Sequence, residues 1–277
     1  MPKRSDLHVL RPMPIIDALL AAGSVPGPHD PLYSLTRGQP KALLKIAGQP
    51  MIEWVLEALH AAQTVRHVIV IGAHPPQGLG VRDYHLPSHG SIVDNLLAGA
   101  AFCEQLPEPP SHLLLISSDI PLVTAEMIDW NIRAALEKGG EACYHILARE
   151  TMERRFPNSR RTYFRLREGQ FCGADLHLIR RDVFSGYNPA WRKIIDARKN
   201  ALKMARLVGI DALLWLISGR APIALGERLI RERLGLNGHL LIAPQAEIGM
   251  DVDKPLQYDL VTKELLQRIE RVQLDGV

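Results

Sequence analysis

Cysteine is scarce. The 277 residues contain three, Cys103, Cys143 and Cys172. They form no C-x-x-C pair and no zinc spacing, which excludes a disulfide framework and a cysteine-built metal site. They read as buried thiols of a reducing cytoplasm, and a cytoplasmic location is expected. No stretch offers about 18 uninterrupted apolar residues, so no transmembrane helix is expected. The N-terminal run "MPKRSDLHVLRPMPIIDALLAAG" starts basic, but Pro12, Pro14 and Asp17 break its apolar part, which argues against a signal peptide. Net charge is only +3, too small to imply a nucleic-acid partner. There is no G-K-[ST], so a Walker-type phosphate loop is excluded. No internal repeat or low-complexity tract occurs.

What remains is ordinary globular composition. Hydrophobic content is 47% and charged content 23%, enough to bury a sizeable core. Short, wholly apolar runs alternate with helical patterns. "IIDALLAAG" (15–23) reads as a strand entering a Gly turn, and "HVIVIG" (67–72) and "HLLLISSDIPLV" (112–123) read as buried parallel strands. Between them, 50–62, 91–106 and 124–140 carry helical spacing, with Ser91 and Thr124 as N-caps. The alternation predicts an α/β fold: three layers, Rossmann-like, around a mainly parallel sheet. The middle segments "YHILARETMERRFP" and "RTYFRLREGQFCGADLHLI" read as extended. Residues 188–236 read as a helical insertion between core segments 1–187 and 237–277. After it, "HLLIAP" reads as a strand, and the turn "MDVDKP" leads into a C-terminal amphipathic helix.

Ligands of such folds bind at the carboxyl ends of the strands. Gly23 and Asp119 both fall there. A strand, a Gly turn and a loop can present backbone N–H groups to a polyphosphate. Lys41, in "GQPKALLKIAGQPM" (38–51), stands where a mobile ammonium can reach such a ligand, whereas Lys45 reads as pointing outward from a short strand. Asp119 closes a buried strand, where a carboxylate is costly unless hydrogen-bonded or metal-bound. A turn-forming or helix-capping role weighs equally for it. Asp251 and Asp253 lie in a second tight turn, and acidic turns are common. Asp175 reads equally as a turn residue. Six arginines, Arg154, Arg155, Arg160, Arg161, Arg165 and Arg167, crowd one window. Arginine forks suit phosphate, although a solvated basic face is the default for such a run. The scattered histidines, including His85 and His89, form no ligand cluster.

Four motifs in order then carry a resemblance: Leu20-Ala21-Ala22-Gly23; Pro40-Lys41-Ala42-Leu43 with Ile46, Gly48, Gln49, Pro50 and Met51; Asp119-Ile120-Pro121; and Asp253-Lys254-Pro255. The chain resembles nucleotidyltransferases with a molybdenum-cofactor-guanylyltransferase-like NTP transferase domain, relatives of the sugar-phosphate nucleotidyltransferases. The match spans residues 14 to about 135 and, more loosely, 238–265. The resemblance implies a GT-A-type nucleotidyltransferase fold and transfer of an NMP from an NTP to a phosphorylated small molecule, releasing pyrophosphate. It implies that backbone around Leu20, Ala21, Ala22 and Gly23 holds the nucleotide, that Lys41 contacts the triphosphate, and that Asp119 and Asp253 bind Mg²⁺. Ser91 and Asn95 are candidates to face the base, or are a cap and a helix turn. The relatives' loop arginine is missing, its place reading Ser24-Val25-Pro26-Gly27-Pro28-His29, and Arg37 is the expected substitute. Arg160, Arg161 and Gly173 are the candidate acceptor contacts. The competing readings are a glycosyltransferase using a nucleotide-sugar, disfavoured because the D-x-D place reads Ser117-Ser118-Asp119, and a non-catalytic nucleotide-binding protein. For 188–236, packing on the core or a homodimer interface ranks above contact with a membrane surface.

Overall fold

The structure is a computed structural model that describes residues 14–185 and 220–275. Ten strands and seven helices are used below. Strand β1 (Ile16–Ala22) is followed by the short helix α1 (Tyr33–Thr36), a small hairpin of β2 (Lys45–Ile46) and β3 (Gln49–Pro50), and helix α2 (Met51–Ala61). Next come β4 (Val68–Gly72), β5 (Asp83–Leu86), α3 (Ile92–Glu104), β6 (His112–Ser117) and α4 (Ala125–Lys138). The second half supplies β7 (Ala142–Ala148), α5 (Arg149–Arg155), β8 (Phe164–Leu166) and β9 (Gly169–Arg180), then α6 (Ile223–Leu234), β10 (Gly238–Ala243) and α7 (Pro255–Asp275).

The main sheet runs β10-β7-β9-β6-β1-β4-β5, with β8 paired to β9. β6, β1, β4 and β5 pair in parallel, as do β10 and β7. β9 alone runs against both its path neighbours and divides the sheet into two parallel blocks. The apolar runs of β1, β4 and β6 follow from burial on both faces. Ala18, Leu20, Val68, Val70, Leu114 and Ile116 pack with the side chains of α2 and α4. Their neighbours Leu19, Ile69, Ile71, Leu113 and Leu115 point the other way and pack with Ala100 and Cys103 of α3. Alternation on each strand thus makes the third layer.

The structure corrects the sequence reading in two places. The strand expected over 112–123 stops at Ser117, because the chain turns there to carry Asp119 off the sheet edge. The segment "RETMERR", read as extended, is the helix α5, its Met152 buried against the core. Of the expected insertion 188–236, residues 188–219 lie outside the described residues, and the remainder contains α6. All three cysteines are buried and unpaired. Among the described residues no helix is long and apolar enough to cross a membrane.

Candidate active site

The carboxyl end of β1 is the floor of the site. Gly72, at the end of β4, sits at φ +119°, and a Cβ there would lie 2.5 Å from backbone atoms of Ala22 and Gly23. A Cβ on Gly23 would come within 2.9 Å of both Asn95 Nδ2 and Ser88 Oγ. Glycine at both positions lets β1, β4 and the start of α3 close on one another. The carbonyls of Ala21 and Ala22 are engaged by the N–H groups of Ser118 (3.1 Å) and Ala73 (2.9 Å), and Leu20 is fully buried in the core. Any role of Leu20 therefore passes through its backbone.

Three loops meet above this floor. The Lys41 N–H donates to the Ser24 carbonyl at 2.9 Å, folding the Pro40-Lys41 segment back over the turn after β1. The Val252 N–H donates to the Asp119 carbonyl at 3.0 Å, tying the turn after β6 to the late turn. The Asp253 N–H donates to Oε1 of the buried Gln257 at 2.9 Å, so the first turn of α7 orients that aspartate. The side chains then converge. Lys41 Nζ donates to Asp119 Oδ2 at 2.5 Å and also to Asp253 Oδ1. Ser117 Oγ donates to the other Asp119 oxygen at 2.5 Å. Burial pulls the Lys41 ammonium down, but Asp119 and Asp253 outweigh it and its pKa is raised; it is a fixed cation.

Beside Asp253 opens a cleft of about 260 Å³, whose lining includes Arg160, Arg161, Gly173 and Asp175. The acceptor residues expected from the sequence therefore share one wall with one of the two expected metal ligands. They differ in availability. Arg160 is exposed, at φ 54°. Arg161 is largely buried, its Nη1 paired with Asp251 and its Nη2 donating to the Gly173 carbonyl at 3.1 Å. Asp175 was open to a turn reading. It instead lies within β9, 3.8 Å from Arg161, and burial followed by the charge of Asp119 pushes it up to about 7.

Other expected residues spread more widely. Asn95 is buried at the end of β1, its Oδ1 taking the His89 N–H at 2.6 Å. Ser91 is exposed and caps α3, accepting the Asp94 N–H at 3.1 Å. Arg37 is exposed at the end of α1 with φ 51°. Sequence reasoning missed Asp251 as the partner of Arg161, and Gln257 as the residue that positions Asp253. Neither carried a signal of its own in the sequence, Asp251 standing in an acidic turn and Gln257 in the first turn of a helix.

Comparison with known families places the chain. The model of the MobA-like NTP transferase domain matches residues 33–274. The chain belongs to that family. A solved relative, a hypothetical transferase from Thermus thermophilus, is 33% identical, with a TM-score of 0.73 over 88% of this chain and 99% of that one. CMP:2-keto-3-deoxy-manno-octonic acid synthetase, solved with CTP, is 16% identical, with a TM-score of 0.58 over 92% and 99% of the two chains. A 4-diphosphocytidyl-2C-methyl-D-erythritol synthase from Anaerococcus prevotii is 8% identical, with a TM-score of 0.54 over 91% and 96%. The last two establish likeness of fold. No curated protein sequence matches the chain. The protein is of nucleotidyltransferase type.

Proposed function

We propose that the protein transfers a nucleoside monophosphate from an NTP to a phosphorylated small molecule of the sugar or polyol class, with release of pyrophosphate. The single observation that carries this reading is the meeting of Lys41, Asp119 and Asp253 from three distant segments. Two carboxylates gathered around one cation make a hard-oxygen donor set. Among the described residues no group of three or more His, Cys, Asp or Glu could hold a metal unaided. That suits Mg²⁺, which binds through one or two carboxylates and completes its shell with phosphate oxygens and water. When bound by Asp119 and Asp253, Mg²⁺ would supply positive charge at the reacting phosphates.

An acceptor phosphate oxygen attacks the α-phosphorus, the bond from the α-phosphorus to the bridging oxygen breaks, and pyrophosphate leaves with the electron pair. The nucleophile is already anionic near neutral pH, so no general base is required. The protein's part is positioning and charge neutralisation. Lys41 neutralises charge on the triphosphate. The backbone from Leu20 to Gly23 seats the nucleotide, with Asn95 beside it as the base-reading amide. Arg160 draws the acceptor phosphate into the cleft, while Arg161 holds the wall at Gly173. Exposed Arg37 is a candidate for the outer phosphates.

The test is a thermal-shift screen of ATP, CTP, GTP and UTP with and without Mg²⁺, followed by pyrophosphate release against a panel of phosphorylated acceptors. Mg²⁺-dependent stabilisation by at least one NTP and acceptor-dependent pyrophosphate are expected. Release of a nucleoside diphosphate from a nucleotide-sugar, with no pyrophosphate from any NTP, would reject the reading in favour of glycosyl transfer.

A further inference from the structure

The cleft wall contains a group that the transfer chemistry leaves unused. Asp175 sits at mid-strand in β9, one residue beyond Leu176, the last position paired with β6, and opposite the irregularity of β7 between Tyr144 and Ile146. Its carboxyl takes no hydrogen bond from any described residue. One oxygen, Oδ2, is shut off from solvent with no donor, and Arg161 stands 3.8 Å from it, too far for a hydrogen bond. The Arg161 Nη1 and Nη2 groups are engaged by Asp251 and the Gly173 carbonyl. The side chain of Asp175 nevertheless keeps 30% of its surface open, and the residue lines the cleft. A carboxyl in such surroundings is costly unless a donor reaches it. No described protein group does, and with Oδ2 closed off, the other oxygen, Oδ1, is the one that a donor entering the cleft can address.

The rest of the wall narrows what that is. Arg160 and Lys254 are exposed cations on the same wall, and they suit a phosphate. A single molecule satisfying both features carries a phosphate at one end and an O–H donor at the other. We propose that Asp175 is a specificity residue of the acceptor site, accepting a hydrogen bond from a hydroxyl of a phosphorylated polyol or sugar. This rests on the nucleotidyltransferase reading and adds to it a requirement for a free hydroxyl. A site built to receive an O–H discriminates strongly against an analogue lacking it, because an acceptor covered by the bound analogue is then left unpaired.

The experiment compares wild type, Asp175→Asn and Asp175→Ala with glycerol 3-phosphate, erythritol 4-phosphate and glucose 1-phosphate, against n-propyl phosphate and phosphoethanolamine. In wild type the hydroxylated acceptors should be preferred over n-propyl phosphate. In Asp175→Ala the KM for the hydroxylated acceptors should rise about 10- to 100-fold, closing that gap, while the KM for NTP is unchanged. Asp175→Asn retains an acceptor oxygen and should lie nearer wild type. Mn²⁺ binding in the presence of NTP, followed by electron paramagnetic resonance, should be equal in all three proteins. An unchanged preference in Asp175→Ala overturns the proposal, as does failure of a wild type that binds NTP and Mg²⁺ to use any hydroxylated phosphate. Turnover confined to phosphoethanolamine points to a cation site instead, and a tenfold loss of Mn²⁺ affinity in Asp175→Asn points to a metal ligand; either result overturns it. A wild type that binds no NTP with Mg²⁺ would remove the underlying reading, a failure distinct from the others.

Discussion

The two sides of the site are built differently. The side proposed for the nucleotide is made of strand ends in the parallel block, β1, β4 and β6, where glycine and backbone contacts set the geometry. The side proposed for the acceptor is made of side chains on β9 and its flanks, where the sheet turns antiparallel and buried charge sets the geometry. The first kind of construction tolerates few residue types at a few positions and so leaves motifs. The second relies on partners far apart in sequence, and its members look unremarkable until they are folded together.

The comparison can be broken at several points. The largest effect is expected on the acceptor side, as a loss of stability. Arg161 and Asp251 are each about one-eighth exposed, at 13% and 12%, so removing either leaves a charge buried without its partner. Asp251→Ala should cost about 3–5 kcal/mol in urea unfolding. A cost below 1 kcal/mol would mean that the pair does not hold this wall. On the nucleotide side the expected effect is catalytic. Lys41→Ala and Asp119→Ala should each lower the rate about 100- to 1,000-fold with cooperative unfolding retained. Near-normal turnover in either would dissolve the assignment.

A third effect separates the two blocks by pH. β7 is irregular between Tyr144 and Ile146, and there the His145 N–H donates to His177 Nδ1 at 3.1 Å instead of to β9 backbone. That bond needs His177 unprotonated. Burial lowers His177 to about 3 and His145 to about 4. Folded-state values below the ordinary histidine value mean that the unfolded chain binds the protons first. The stability from these residues is complete above about pH 6.5 and is lost as pH falls toward 4, by about 1.4 kcal/mol per pH unit for each histidine. His177→Gln should flatten the acid limb of a melting-temperature profile, and an unaltered limb would contradict this origin. Smaller again, Arg160→Ala should raise the KM for a phosphorylated acceptor about tenfold, the order of one charged hydrogen bond. Smallest, Ser91→Ala should cost about 1 kcal/mol through the lost cap of α3, with the KM for NTP unchanged. A raised KM for NTP would return Ser91 to the nucleotide.

Legibility in the sequence follows the same division. Strands β1, β4 and β6 and helices α2, α3 and α4 were readable because burial on both faces writes an unbroken apolar run and because helix starts carry caps, whereas β5, half-buried along its length, carried no such run. Lys41, Asp119 and Asp253 were marked by the prolines and glycines beside them. The α5 helix was not readable, since "RETMERR" is short and has one buried side chain, Met152, to set its phase. The Arg161–Asp251 pair was hidden because an arginine in a basic run and an aspartate in an acidic turn each look like solvated surface. Asp175 reads equally as a turn residue because Gly173 stands two positions before it, and only the fold places it within β9.

The hydrogen bond from Val252 to the Asp119 carbonyl has a consequence for how the protein is made. During synthesis, Lys41 and Asp119 emerge long before Asp253. A chain still held in the ribosome short of that point has its lysine and first carboxylate but neither the second nor the strap that brings it in. The metal site proposed here is thereby incomplete until the late turn has been delivered and folded against the turn after β6.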